Sequence, residues 1–133
     1  MTDLIKKLRD ATGPDRELDA LVAIACGKIV PAVDAGFPDG ISRCAGQVSV
    51  RIAPARFQAP AFYTASLDAA LALAGEVLPD WAIGLNSRAG PEGLWRANTE
   101  LGGESRNGGG FCYHKSPAIA LLIAILQAQG ETE

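Results

Sequence analysis

The pattern of apolar and polar positions predicts two helices before residue 28. Apolar side chains recur at helical spacing over residues 2–11, with lysine and arginine between them. A break follows, and Thr12 is the expected cap of a second helix. Pro14 is expected at its first helical position, because proline has the backbone angle that this position needs. Gly27 is the expected stop of this helix.

Two further helices are predicted in the second half of the chain. Ser66 is expected to cap the third helix, which Pro79 and Asp80 end. Its predicted apolar stripe consists of Leu67, Ala70, Leu71, Ala74 and Leu78. Ser116 and Pro117 open the last helix, which is apolar on nearly all sides. Such a helix is normally buried from more than one direction.

Strands are predicted where apolar residues alternate with small or polar ones. Residues 47–53 alternate in this way, and so do residues 81–85. Residues 94–101 are the expected partner strand of a hairpin with a turn over 88–93. A short third strand is expected over residues 111–114.

The remaining segment, residues 28–63, is interrupted by prolines and glycines. We expect a long irregular connection there that holds only the strand over 47–53. The order of the elements favours a mainly antiparallel sheet with helices packed on it. Since 133 residues fit one domain, we predict a single α/β domain of the α+β type. Its antiparallel sheet of three or four strands is sandwiched between helices.

Charge, cysteine content and hydropathy exclude several classes of protein. The formal charge is −3, whereas proteins that bind duplex nucleic acid usually carry a basic surplus. The three cysteines are an odd number without close pairing, which argues for a reducing compartment. The most apolar run, residues 118–126, is far shorter than the ~20 residues that cross a bilayer. With no apolar leader at the start, we expect a cytoplasmic protein that binds neither duplex nucleic acid nor membrane.

Several blocks of the sequence are distinctive: residues 13–21 (GPDRELDAL), residues 63–70 (YTASLDAA), Trp81, Trp95 and residues 116–121 (SPAIAL). Together they resemble the phage ABA-sandwich domain family, small proteins of phages and prophages. The resemblance is most specific over 63–70 and is patchy over 28–60, where this chain is long for the family. It implies a sheet between helical layers and a bacterial host cytoplasm. No catalytic activity is established for the family, so the resemblance implies a setting and no mechanism.

One group of residues has the chemistry of an anion-binding site. The stretch from residue 41 to residue 67 contains three arginines and no acidic residue. Guanidinium groups bind phosphate in a fixed geometry, and aromatic rings offer stacking surfaces. The candidate ligand-binding residues, which include one from the glycine-rich loop over 102–110, are Arg51, Arg56, Trp81, Trp95, Arg106 and His114. The alternative is that the arginines are solvated and the tryptophans belong to the core.

A second group, Cys112 and His114, has the residue types of a nucleophile and its base. If residues 111–114 form a strand, the two side chains point to the same face. Neighbours on one strand rarely align for proton transfer, and no second histidine completes a zinc site. A packed cysteine and a partly exposed histidine is therefore the favoured interpretation.

These observations lead to three hypotheses about function. The first is a non-enzymatic phage or prophage accessory protein, without metal or cofactor, that binds a host or phage protein. In this hypothesis the apolar last helix could also form a homodimer interface. The second is a module that sequesters a small anionic ligand such as a nucleotide. The third, a hydrolase or transferase that uses His114 with Cys112, is the least supported.

Overall fold

The structure of the protein is a computed structural model that describes residues 2–44, 47–86, 94–101, 104–105 and 112–132. These residues form an α+β fold, as predicted. The helices are α1 (Thr2–Asp10), α2 (Arg16–Ala25), α3 (Leu67–Val77) and α4 (Pro117–Thr132). The strands are β1 (Ile41–Cys44), β2 (Gln47–Ala53), β3 (Arg56–Gln58), β4 (Ala82–Asn86), β5 (Trp95–Leu101), β6 (Glu104–Ser105) and β7 (Cys112–His114).

The strands form two antiparallel sheets. In the first sheet, β2 lies between β1 and β3. In the second sheet, β4 pairs along one edge of β5, while β7 and β6 pair with the start and the end of β5. Ala97 thus lies between Leu85 and Cys112. The predicted hairpin strands and the short strand at 112–114 are confirmed; the predicted turn over 88–93 lies outside the described residues.

Helix α4 is the centre of the core. Every residue from Ala118 to Leu126 is buried, because α4 packs on β5 and β7 and also contacts α1 and α3. Ser116 begins the helix as predicted, since its Oγ accepts a hydrogen bond from the N–H of Ile119. The apolar faces of α4 are therefore covered within the protein itself. Because residues 118–126 of α4 are buried, they offer no surface for the homodimer interface that the sequence suggested.

The start of α2 differs from the prediction. Its N-cap is Asp15, whose side chain accepts hydrogen bonds from the N–H groups of Glu17 and Leu18. Thr12 and Pro14 lie before the helix. The reason is a tertiary contact: the N–H of Asp15 donates to Thr64 Oγ1 at 2.8 Å, while Asp15 has an extended backbone. Gly27 follows the helix with a φ of +73°, in agreement with its predicted role as the stop.

Helix α3 has the predicted cap, Ser66, and ends before Pro79 as expected. Its buried stripe is shifted, since Ala70, Leu73 and Ala74 are buried while Leu71 is exposed. The helix is apolar around much of its circumference, so the sequence pattern alone did not define which side packs on α4.

The segment over 28–63 is more ordered than the predicted irregular connection. The strand predicted over 47–53 is confirmed as β2, but β1 and β3 flank it and complete a sheet. Val50 and Ile41 are paired and buried, and β2 contacts α2. The flanking strands escaped prediction because they are only four and three residues long and mostly polar or exposed. Their pairing with β2 makes them strands.

Candidate functional site

Arg51, the central residue of the predicted anion site, lies in β2 and is bound by other parts of the protein. Its Nη1 donates a hydrogen bond to the carbonyl oxygen of Ala32 at 2.8 Å, and its Nη2 forms an ion pair with Asp34 at 2.9 Å. The guanidinium carbon lies 5.6 Å from the centre of the Phe37 ring. Only 12% of the side chain is exposed. Arg51 therefore organises the 31–40 segment.

Asp34 explains why this segment holds its shape. One carboxylate oxygen, Oδ1, accepts hydrogen bonds from the N–H groups of Gly36 and Phe37 at 2.8 and 3.0 Å. The other, Oδ2, pairs with Arg51. Side-chain acceptors of this kind replace backbone partners in a tight turn. One carboxylate thus closes the turn and neutralises the arginine behind it.

Gly40 closes the same segment at its other end. Its φ is +75°, and a Cβ on it would lie 2.4 Å from the Cβ of Pro31. A side chain therefore has no room here, and the left-handed backbone favours glycine as well. The carbonyl oxygen of Gly40 accepts from the N–H of Arg51 at 2.8 Å, which fastens the segment to β2.

Around the contacts of Arg51, Asp34 and Gly40, several large apolar side chains are exposed. The described residues include six exposed large hydrophobic side chains, and four of them lie between residues 30 and 62. These four, which we call the 30–62 apolar set, are Val30 (76% exposed), Val33 (60%), Phe57 (45%) and Phe62 (59%). Exposed apolar patches on a protein surface mark interaction sites, and these four side chains are the candidates for one.

Two side chains of this set, Phe57 and Phe62, are packed on one side against other residues. The ring of Phe57 lies edge-on to that of Phe37, with centroids 5.6 Å apart. Phe37 in turn lies beside Arg51. Phe62 is covered on one side by the guanidinium of Arg16, which is 3.9 Å from its ring centre. The rings are thus held in place while their outer surfaces face solvent.

The remaining predicted ligand residues are spread over the molecule. Arg56 is exposed on β3, in the first sheet with Arg51. Trp81 and Trp95 belong to the second sheet region, where both are partly buried against the core. Arg106 lies outside the described residues. The described residues therefore place the arginines and the tryptophans in different parts of the fold.

His114 pairs with Trp95 across β5 and β7, and at 7% exposure it is buried, so the expectation of a partly exposed histidine was wrong. Its Nδ1 accepts a hydrogen bond from the N–H of Ser116 at 2.9 Å. Its Nε2 lies 2.8 Å from the carbonyl oxygen of Ala11 and, in the tautomer that this arrangement requires, donates to it. Both ring nitrogens are thus used to join the end of α1 to the start of α4.

Cys112 lies on the same strand but is not arranged as a nucleophile. Its Sγ donates to Oε1 of Gln127 at 3.2 Å. Burial raises the pKa of the thiol from its ordinary value of 9.0 to about 11, despite the opposing charge of Arg9. Because the thiolate is the reactive form and both nitrogens of His114 have backbone partners, this geometry gives no support to the third hypothesis.

The sequence analysis missed a buried polar network between α2 and the 60–64 segment. Asp19 is 1% exposed, and its Oδ1 accepts from both the N–H and the hydroxyl of Thr64 at 2.7 Å. Its Oδ2 pairs with Arg16 at 2.7 Å, and Arg16 also donates to the carbonyl oxygens of Pro60 and Ala61. The network joins the two blocks, 13–21 and 63–70, that were singled out as distinctive.

The sequence did contain one indication of this network. Asp19 lies three and four positions before Val22 and Ala23, and thus on the side of α2 that is buried. A carboxylate on such a side needs a partner, because a buried and unpaired charge is costly. One partner, Arg16, lies three positions away on the same helix, but Thr64 is 45 positions away, so no local pattern identifies it.

Two further results concern the described part of the chain. It contains no cluster of three or more histidine, cysteine, aspartate or glutamate side chains suited to a metal ion. It also contains no helix with both the length and the apolar character needed to cross a bilayer.

Comparisons with known proteins identify no relative of this chain. The chain matches no family model, and searches of curated proteins and of solved structures return no match either. The resemblance to the phage ABA-sandwich domain family therefore stays a prediction from the sequence.

Proposed function

We propose that this protein is a small, non-enzymatic accessory protein of a phage or prophage that acts by binding another protein through the 30–62 apolar set. The observation that carries the proposal is the concentration of exposed Val30, Val33, Phe57 and Phe62 in one segment. Protein interfaces bury aromatic and aliphatic anchors at their centre. The phage setting rests on the sequence resemblance alone.

The construction of the segment supports a binding role. Arg51, Asp34 and Gly40 hold the backbone of residues 31–40, which carries Val33. Phe57 and Phe62 are supported by Phe37 and Arg16. A preorganised surface loses less conformational entropy on binding than a mobile one does. The segment thus combines exposed apolar side chains with a fixed backbone, which is the combination that a docking surface needs.

The anion-sequestering alternative receives no such support. Arg51 already has Asp34 as its counter-ion, and the two tryptophans lie in the other sheet region. That alternative stays a prediction from the sequence.

Site-specific photo-crosslinking tests the proposal. A photoreactive phenylalanine analogue is placed at Val33 or at Phe57, with Leu71 on α3 as the matched control because it is also exposed (42%). The protein is irradiated in lysate of the bacterial host. We expect a discrete protein adduct from positions 33 and 57 and none from position 71. Excess unlabelled protein should abolish the adduct, while the V33S/F57S variant should not.

Three outcomes would contradict the proposal. They are the absence of an adduct, equal adducts from all three positions, and an adduct formed only with a second copy of the chain. Sedimentation equilibrium of the purified protein identifies the last of these directly. The V33S/F57S variant should lose about 1–2 kcal/mol of stability, because Phe57 gives up its edge-on contact with Phe37, and it should stay folded.

A further inference from the structure

A groove between α1 and α2 lies apart from the 30–62 apolar set. It consists of two adjoining concavities of about 530 and 290 Å³. Lys7 and Leu21 line both of them, so the two are parts of one groove. The volume of the larger concavity is in the range of ligand-binding clefts, and that of the smaller one lies just below it.

The apolar surface of the groove is concentrated in its smaller concavity, whereas the larger one exposes more polar than apolar surface. The aliphatic side chains at the floor of the groove are Leu4, Ala11, Leu18, Leu21, Ile24 and Ala25. Leu18 is buried, whereas Leu4, Leu21 and Ile24 are only partly buried against the core. The partly buried side chains leave apolar surface at the bottom of the groove, and burying this surface against a ligand would be favourable.

The rim of the groove is acidic. Four carboxylates line it, from Asp3, Asp10, Asp15 and Glu17, against the single ammonium group of Lys7. Two of the four are already used: Asp15 caps α2, and Glu17 forms an ion pair with Arg43. Among the described residues, Asp3 and Asp10 form no ion pair. Both are exposed and lie seven positions apart, on the same side of α1.

We propose that this groove binds a basic amphipathic helix of a partner protein. The aliphatic floor fits the apolar side of such a helix, and Asp3 and Asp10 fit lysine or arginine side chains beside it. The nine residues of α1 extend about 14 Å at 1.5 Å per residue, which matches between two and three turns of a bound helix. Apolar anchors at positions i, i+3 or i+4 and i+7 would fill the floor.

This site does not depend on the proposed function of the 30–62 apolar set. It lies on the first two helices, and its ligand is defined by positive charge as well as by apolar surface. The V33S/F57S variant should therefore bind the groove ligand as well as the wild type does. This variant separates a failure of one proposal from a failure of the other.

The test uses two synthetic peptides of about 15 residues, the length at which isolated helices become marginally stable. Both carry leucine at helical spacing; one has lysine on its polar side and the other has glutamate at the same positions. Binding to the full chain is measured by fluorescence anisotropy at low salt, and the site is located from amide chemical shifts. We expect the basic peptide to bind at least about tenfold more tightly and to shift amides of α1 and α2. Added salt should weaken it, because exposed charges are screened.

Variants make the test specific for this groove. D3N/D10N should weaken the basic peptide about three- to tenfold, as expected for the loss of two exposed ion pairs. D68N/D80N removes two exposed carboxylates elsewhere and should leave its affinity unchanged. L21S should weaken both peptides by reducing the apolar floor. Equal affinity for the two peptides, no binding, shifts outside α1 and α2, or equal effects of the two double variants would each overturn the proposal.

Discussion

Helix α4 and the segment from Val30 to Phe62 both contain many large apolar residues, but the fold uses them in opposite ways. Every residue of α4 from Ala118 to Leu126 is buried between the second sheet and helices α1 and α3. The 30–62 segment leaves four large apolar side chains in solvent. The apolar residues of α4 thus stabilise the fold, as Ile41 and Val50 of the 30–62 segment also do, while the four exposed ones are available to a partner.

The two regions also differ in how polar groups hold them together. Near α4, His114 forms buried hydrogen bonds that join the end of α1 to the start of α4. Asp19 does the same between α2 and Thr64. In the 30–62 segment, Arg51 and Asp34 form a more exposed frame that joins the segment to itself. We expect changes in the first region to affect global stability and changes in the second to affect local order and binding.

The largest expected effect is that of Asp19→Ala. It removes both acceptors of the buried network and leaves the guanidinium of Arg16 and the N–H of Thr64 without them. Each buried donor left without its acceptor costs about 1–3 kcal/mol, and Arg16, which is partly exposed and keeps the carbonyl oxygens of Pro60 and Ala61, loses its charged partner. We expect a total loss of about 3 kcal/mol or more. Urea denaturation measures this loss, with Asp80→Ala as the control for an exposed aspartate. If both variants unfold at the same urea concentration, the network does not stabilise the fold.

The next prediction compares two leucines directly. Leu122 is fully buried in α4, so Leu122→Ala should lower the free energy of unfolding by about 2–5 kcal/mol. Leu71 is exposed on α3, and Leu71→Ala should change it by less than about 0.5 kcal/mol. Both values come from urea denaturation curves. Similar losses in the two variants would contradict the burial that we assign to α4.

Removing Arg51 should have a smaller and more local effect. Arg51→Ala breaks the ion pair with Asp34 and the hydrogen bond to Ala32, at a cost of about 1–2 kcal/mol. Amide hydrogen exchange should become faster in the 31–40 segment and stay unchanged in α4. Arg56→Ala, on exposed β3, is the control and should change neither quantity. Faster amide exchange throughout the chain would contradict this prediction, because it would show that Arg51 stabilises the whole fold and not the 31–40 segment alone.

The smallest effects concern the cysteines. Burial raises the pKa of both Cys26 and Cys112 from 9.0 to about 11, so these thiols stay protonated at pH 8. Since their folded pKa is above the ordinary value, their contribution to stability is intact below pH 9 and is lost as the pH rises toward 11. We expect iodoacetamide to modify exposed Cys44 first at pH 8. Mass spectrometry of the modified peptides checks this order, and rapid modification of Cys112 in the folded protein would contradict it.

The sequence by itself determined features that depend on neighbouring residues. The starts of α3 and α4 follow from Ser66 and Ser116, whose side chains accept hydrogen bonds within the next helical turn. The strand over 47–53 follows from the alternation of its side chains. The end of α2 follows from Gly27, which tolerates a positive φ. The α+β class follows from the order of these elements. These features could be predicted because their causes lie within a few positions.

The tertiary structure alone decided which residues meet across long stretches of the chain. The stretch from 41 to 67 lacks acidic residues, but Asp34 lies outside it and supplies the carboxylate that binds Arg51. Thr64, 45 positions from Asp19, satisfies that buried carboxylate and also moves the cap of α2 to Asp15. The exposure of Phe57 and the burial of Leu73 likewise depend on what packs beside them. Sequence patterns report local preference, whereas these pairings are fixed only when the whole chain has folded.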